Sequence, residues 1–305
     1  MQKEVFDVNQ GHGNHIDCVN GYAESGQFLS EWLPRTVREG TLALASKTPV
    51  ACSLGGGIPP ETYFYMIGGN DGPLRFDVLI AAVEMKQSNE VISAYPEYDG
   101  KEADVKIVKI HEWANGVEAT IEGTILGDCE RRIAFFDTRY AFRKGTYEIG
   151  KTYRFRLAAF AYDADVLPEK DREFRIEGEA AAERRRALGD EPKFEKDGSV
   201  SPLIFRMDKM VACLPVSDAY PDDAEFQSPV FARVGMIKCF NTSFYRLEIA
   251  IARDDVSDRP DVIVPLVAKK SLFGTRPRKG DPVRGHFWLQ GYCVSAGGNE
   301  KVATL

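Results

Sequence analysis

Two thirteen-residue stretches, GKTYRFRLAAFAY (150–162) and GDPVRGHFWLQGY (280–292), align without a gap at an offset of 130 positions. Gly150 meets Gly280, Arg154 meets Arg284 and Tyr162 meets Tyr292. Each stretch follows a run of Lys and Arg, and each ends a series of apolar segments of strand length. A chain with this pattern has to house two long strands in similar surroundings. The expectation is one β module built twice.

The segments between these stretches carry the same message. ADVKIVKIHEW and VEATIEGTIL flank Asn115-Gly116, a dipeptide favoured in tight type I′ hairpins because both positions need positive φ. RRIAFF (131–136) and TYRFRLAAFAYDA (152–164) read as further strands, as do LIFRMDKMVACL, VFARVGMIKCF, FYRLEIAIA, DVIVPLVA and PVRGHFWLQGYCV from residue 203 onward. In TYRFRLAAFAYDA the aromatic parity changes between Phe155 and Phe160. A bulge near Ala158-Ala159 accounts for that change and bends the strand. Short strands, a hairpin and a long bent strand resemble the OB-fold, a five-stranded barrel whose face binds oligonucleotides or oligosaccharides. The resemblance rests on strand rhythm and spans about half of the chain. A β-sandwich gives a similar rhythm.

The first hundred residues read differently. GYAESGQFLSEWLPRTVREG (21–40) has helical spacing with Pro34 at a helix start. TPVACSL (48–54) and ETYFYMI (61–67) read as strands around the loop GGGIPP. RFDVLIAAVEMKQ (75–87) fits either a strand or a helix. Residues 171–199 are about half charged and contain a helix-favouring run, Ala180–Leu188, before Gly189. The expected organisation is an acidic α+β domain over 1–100, a small barrel over 101–170, a charged helical linker over 171–200 and a second barrel over 201–305. The whole is mainly β, with two OB-like barrels in tandem.

Composition sets the outer bounds. At 44% hydrophobic and 28% charged residues, a chain of 305 can bury sizeable cores. The net charge of −7 resides in residues 1–100, where 13 acidic residues face 6 basic ones; the rest is balanced. No run of about 18 apolar residues marks a membrane helix, and the first residues lack the pattern of a secretory signal. The six scattered cysteines contain no C-x-x-C, which points to reduced thiols and a cytoplasmic protein.

Residues 131–156 carry eight basic residues among seven aromatics. Cations screen a phosphate backbone and aromatic faces stack on unpaired bases, which is the equipment of single-strand binding. The candidate ligand-binding residues are Arg139, Tyr140, Arg143, Lys144, Tyr153, Arg154 and Arg156 in the first module. Arg276, Arg278, Lys279, Arg284, His286 and Trp288 are their counterparts in the second. The leading expectation is a non-catalytic binding protein for an extended anionic ligand, with single-stranded nucleic acid as the class. A protein-interaction component, docking through the acidic N-terminal third, is the first alternative. A metal-dependent enzyme built on His12, His15 and Cys18 is the second. SLGGGIPPE (53–61) lacks the Lys-Ser/Thr of a P-loop and reads as a stiff turn.

Overall fold

The computed structural model describes residues 18, 28–46, 62–69, 72–83, 88–127, 131–239, 242–253 and 260–294. A π-helical turn (Phe28–Trp32) leads into α1 (Leu33–Glu39), with Pro34 in the first turn, where no backbone donor is needed. Four strands follow: β1 (Thr41–Ala45), β2 (Thr62–Gly69), β3 (Leu74–Val83) and β4 (Ser88–Tyr98). They form an antiparallel meander in chain order. The ambiguous stretch at 75–87 is therefore a strand, paired on both sides by β2 and β4. The strand expected at 48–54 lies outside the described residues.

The larger sheet starts with β5 (Lys101–Glu112), β6 (Ala119–Ile125), β7 (Arg131–Asp137), the single-turn helix α2 (Tyr140–Arg143) and β8 (Thr152–Val166). An excursion follows: β9 (Glu173–Ile176), α2's longer successor α3 (Gly178–Ala187) and β10 (Leu203–Arg206), with β9 and β10 paired as a ribbon. α3 ends before Gly189, which sits at φ 83°. This segment is not fully solvated: Arg185 is buried and donates to the carbonyls of Ser201 (2.6 Å) and Pro202 (3.0 Å). The chain then forms β11 (Ala212–Pro215), β12 (Asp223–Pro229), β13 (Gly235–Cys239), β14 (Thr242–Arg253), β15 (Pro260–Lys269) and β16 (Pro282–Cys293).

Ten strands join in one sheet, in the order β11-β12-β16-β7-β6-β5-β8-β15-β14-β13. A further antiparallel pairing of β16 with β8 closes β8, β5, β6, β7 and β16 into a five-stranded barrel. Closure joins the outer strands of this group, β8 and β16, while β11 and β13 remain the edge strands of the larger sheet. On the other side of the two long strands, β12, β16, β8, β15 and β14 also run in succession. β12 curls back toward β14, where Ala250 donates to Ser228 Oγ (2.9 Å) and Phe231 N–H reaches the Glu248 carbonyl (2.8 Å). β8 and β16 thus serve both groups of strands. In their ladder Ala159 lies opposite Leu289, the residue 130 positions further on.

Both faces of the long strands are buried, and this explains the change of aromatic parity. Phe155, Leu157, Ala159 and Ala161 point into the barrel core with Phe135, Leu247, Leu266 and Leu289. Ala158, Phe160 and Tyr162 point the other way, into a second core shared with Phe136, Trp288 and the β3–β4 residues Phe76, Val78 and Tyr95. The β8–β16 ladder runs without interruption from Phe155 to Ala161, so no bulge occurs at Ala158-Ala159; the register shift comes at Tyr162. At Asn115-Gly116 the hairpin forms with a longer loop than a two-residue turn. Trp113 N–H closes it on the Glu118 carbonyl (2.9 Å), Gly116 takes φ 70°, and Asn115 Oδ1 accepts from Val117 and Glu118 N–H.

Candidate functional site

Strand alternation puts Arg154 and Arg156 side by side on β8, facing the acids of β5. Arg154 makes a two-pronged pair with Asp104 (2.9 and 3.1 Å). Arg156 reaches Glu102 (3.1 Å) and Asp99 (2.5 Å). Arg154, Arg156, Glu102 and Asp104 line an open cleft of ≈ 580 Å³ with Thr152, Tyr153 and Val294. Exposed pairs of this kind contribute little to stability, so their main effect here is on charge. Two cations meet three anions, and a phosphate would have to displace carboxylates. Hydrogen bonding from Arg154 also holds the Asp104 carboxyl below its ordinary range.

The second copy of the pattern is more acidic. Arg284 and His286 line a cleft of ≈ 380 Å³ with Asp163, Asp165 and Glu225. His286 Nδ1 lies 2.8 Å from Asp163 Oδ2, and Arg284 lies 3.6 Å from Asp171. One pairing recurs in both clefts: Glu102 lies opposite Arg156 as Glu225 lies opposite His286. Among the described residues no group of three His, Cys, Asp or Glu side chains is close enough to hold a metal ion. His12 and His15 lie outside the described residues, and Cys18 is buried in the core between sheet and barrel.

Three of the expected aromatic contacts are placed inside or against the protein. Trp288 is fully buried and donates from Nε1 to Asp222 (3.0 Å). Tyr140 is buried, with its hydroxyl donating to Glu112 (2.7 Å). Tyr153 is half-buried, and its hydroxyl both donates to the Thr146 carbonyl (3.2 Å) and accepts from Glu148 N–H (2.9 Å). Lys144 lies 3.3 Å from Glu112, and Arg143 is half-buried at the end of α2. The buried Trp288 and Tyr140 rings present no open face for base stacking, while Tyr153 stays partly exposed at the first cleft.

Arg139 belongs to a buried charge cluster that the sequence reading did not assemble. Its guanidinium lies 2.9 Å from Glu97 and 3.7 Å above the Tyr292 ring. Glu97 is also bound by Arg75 and by the Thr138 hydroxyl (2.9 Å). Asp77, fully buried on the neighbouring strand, has no hydrogen-bond partner among the described residues; Arg75 Nε is 3.7 Å away. Burial and the nearby Glu97 charge push the Asp77 carboxyl up to about 8, against the pull of Arg75 and Arg139. Burial acts on Glu97 too, but Arg139, Arg75 and Thr138 outweigh it and hold that carboxyl low. Asp137, buried beside this group, is raised to about 6 by desolvation despite bonds from Tyr147 (2.7 Å) and Arg139 N–H (3.0 Å). The signal for this cluster was present in FDVLI, an acid inside an apolar run.

A cluster of open cations lies in the loop before β16. Lys270, Arg276, Arg278 and Lys279 are exposed and make no ion pair among the described residues. Gly280 N–H to the Val230 carbonyl (2.8 Å) and Val230 N–H to the Asp281 carbonyl (3.0 Å) tie this loop to the segment carrying exposed Arg233. Asp281 is occupied by Arg278 N–H (2.8 Å). No protein-family description matches the chain, and no curated protein or solved structure matches it.

Proposed function

We propose that the chain is a non-catalytic binding protein for an extended anionic ligand, with single-stranded nucleic acid as the class, held by the loop that precedes β16. The observation that carries this reading is the cluster of exposed cations at 233 and 270–279, which make no ion pair among the described residues. Arg276, Arg278 and Lys279 contact phosphates in this reading, and Arg284 and His286 extend the track along β16. Arg154 and Arg156 contribute less, because Asp104 and Glu102 already hold them.

The scaffold in this reading is two OB-like halves related by duplication, each completed by the long strand of the other. Several contacts support it. Tyr162 donates to Asp223 at the start of β12 (3.0 Å), and Tyr292, its counterpart, donates to Asp99 just before β5 (3.0 Å). β7 runs parallel to β16 as β15 runs parallel to β8.

The test is fluorescence anisotropy with labelled single-stranded DNA and RNA at about 50 and 200 mM salt. Wild type is expected to bind, and to weaken steeply as salt rises. Joint charge reversal of Arg276, Arg278 and Lys279 to Glu is expected to cost at least tenfold and to flatten the salt dependence. Arg154→Glu is expected to change little. Binding that ignores the triple reversal overturns the assignment.

A further inference from the structure

The meander β1–β4 is a sheet of its own, packed against the barrel rather than hydrogen-bonded into it. Apolar side chains join the two: Phe76, Val78 and Tyr95 share a core with Phe136 and Trp288, and the Tyr95 ring stands edge-on to Phe136 at 5.5 Å. Polar contacts cross beside this core at β4. Tyr95 donates its hydroxyl to the Thr138 carbonyl, Thr138 Oγ1 donates to Glu97 (2.9 Å) and Arg139 donates to Glu97 (2.9 Å). The covalent link is short, since β4 ends at Tyr98 and β5 begins at Lys101.

Asp77 sits where these contacts converge. In the strand ladder it lies opposite Tyr95, and Arg75, two residues earlier, lies opposite Glu97. Alternation puts all four side chains on one face of the meander. Opposite Asp77 on β2 is Gly68, where a Cβ would come within 2.8 Å of Asp77 Oδ1. The two carboxyls are served unequally. Glu97 takes the bonds of Arg75, Arg139 and Thr138, whereas neither oxygen of the fully buried Asp77 has a hydrogen-bond partner among the described residues. Arg75 Nε stands 3.7 Å off. The barrel side brings one cation, Arg139, already on Glu97 and over the Tyr292 ring, and two further acids, Asp137 and Glu118, whose charges reach Tyr95. It also brings Gln290, buried on β16, whose side-chain atoms have no partner among the described residues. A buried carboxylate without hydrogen bonds is costly, and local opening is the way water reaches it.

We propose that this contact is a proton-controlled latch: a protonated Asp77 keeps the meander docked, and an ionised Asp77 lets it swing from the barrel about the link at 99–100 while the barrel stays closed. The ladder that closes the barrel, β8 with β16, uses no meander residue. The direction follows from which state holds the proton more tightly. Burial, then the Glu97 charge, push the docked carboxyl up to about 8 against the pull of Arg75 and Arg139, while a hydrated one has an ordinary value near 4. The docked state therefore keeps its full advantage in acid. The open fraction rises with pH between about 4 and 8, then levels. The inference uses neither the anionic-ligand reading nor the duplication.

Thiol labelling reads the latch. Cys18 and Cys239 are buried in the core between meander and barrel, and Cys293 is buried in the barrel core. Iodoacetamide is added at pH 6 and pH 8 to wild type and Asp77→Asn, and the rate at each cysteine is read by peptide mass spectrometry. Taking the ratio of wild type to variant cancels the titration of the thiols themselves. At Cys18 and Cys239 that ratio is expected to rise at least tenfold from pH 6 to pH 8, and at Cys293 to stay within twofold. A ratio that does not rise at Cys18 and Cys239 overturns the inference. So does a matching rise at Cys293, which would mean that the whole chain unfolds and no latch exists. If Asp77→Asn fails to fold, wild type alone decides: its Cys239-to-Cys293 ratio is expected to rise at least tenfold over the same range, and a flat ratio overturns the inference.

Discussion

Asp77 is the residue whose chemistry departs most from its ordinary behaviour. A carboxyl with a folded value near 8 and an unfolded value near 4 binds more protons folded than unfolded across that window. Its contribution is therefore present at low pH and is lost as pH rises from about 4 to 8, at no more than roughly 1.4 kcal/mol per pH unit. Asp137 adds the same sign up to about 6, while Glu97, held low, acts in the opposite sense only in acid. Asp77→Asn is expected to remove much of the decline between pH 6 and 8. Urea unfolding at both values checks it, and a variant that still loses stability like wild type would exclude Asp77 as the source. An acid within FDVLI was visible in the sequence, but its partners were not. Arg75 and Glu97 come from paired strands and Arg139 from beyond β7, and one-dimensional spacing does not bring such residues together. Trp288 failed as a stacking candidate for a related reason: aromatic content shows that a ring must be placed, and only packing shows on which side.

At the scale of elements, the strand rhythm was legible wherever one face was apolar. β6, β14 and β16 stand close to where periodicity puts them. β12 was not anticipated, because DAEFQSP carries two acids and a proline and takes its pairing from β11 and β16. β8 was found, yet its parity change was misassigned to a bulge, since burial on both faces leaves no polar side to mark the register. The two tyrosine contacts across the long strands are expected to carry unequal weight. Tyr162→Phe removes a hydrogen bond to Asp223 at a half-buried site and should cost about 1 kcal/mol. Tyr292→Phe should cost less, because Asp99 is exposed and keeps Arg156. Thermal unfolding of the two variants reads the difference; equal losses would mean that exposure of the carboxylate acceptor does not set the cost.

For the whole molecule, the decisive fact is that β16 completes the barrel begun by β5–β8. A fragment of residues 1–200 lacks that strand, and residues 201–305 lack β8. Neither is expected to unfold cooperatively alone, and mixing the two should restore near-ultraviolet dichroism. A fragment 1–200 that melts cooperatively by itself would show that the barrel stands without its last strand. The same dependence fixes an order of events at the ribosome. The strands up to Val166 emerge well before Cys293, an interval on the order of ten seconds at typical synthesis rates. Throughout that interval the nascent barrel has an unsealed seam beside β7 and β8, so chaperones and proteases meet it before its own final strand does.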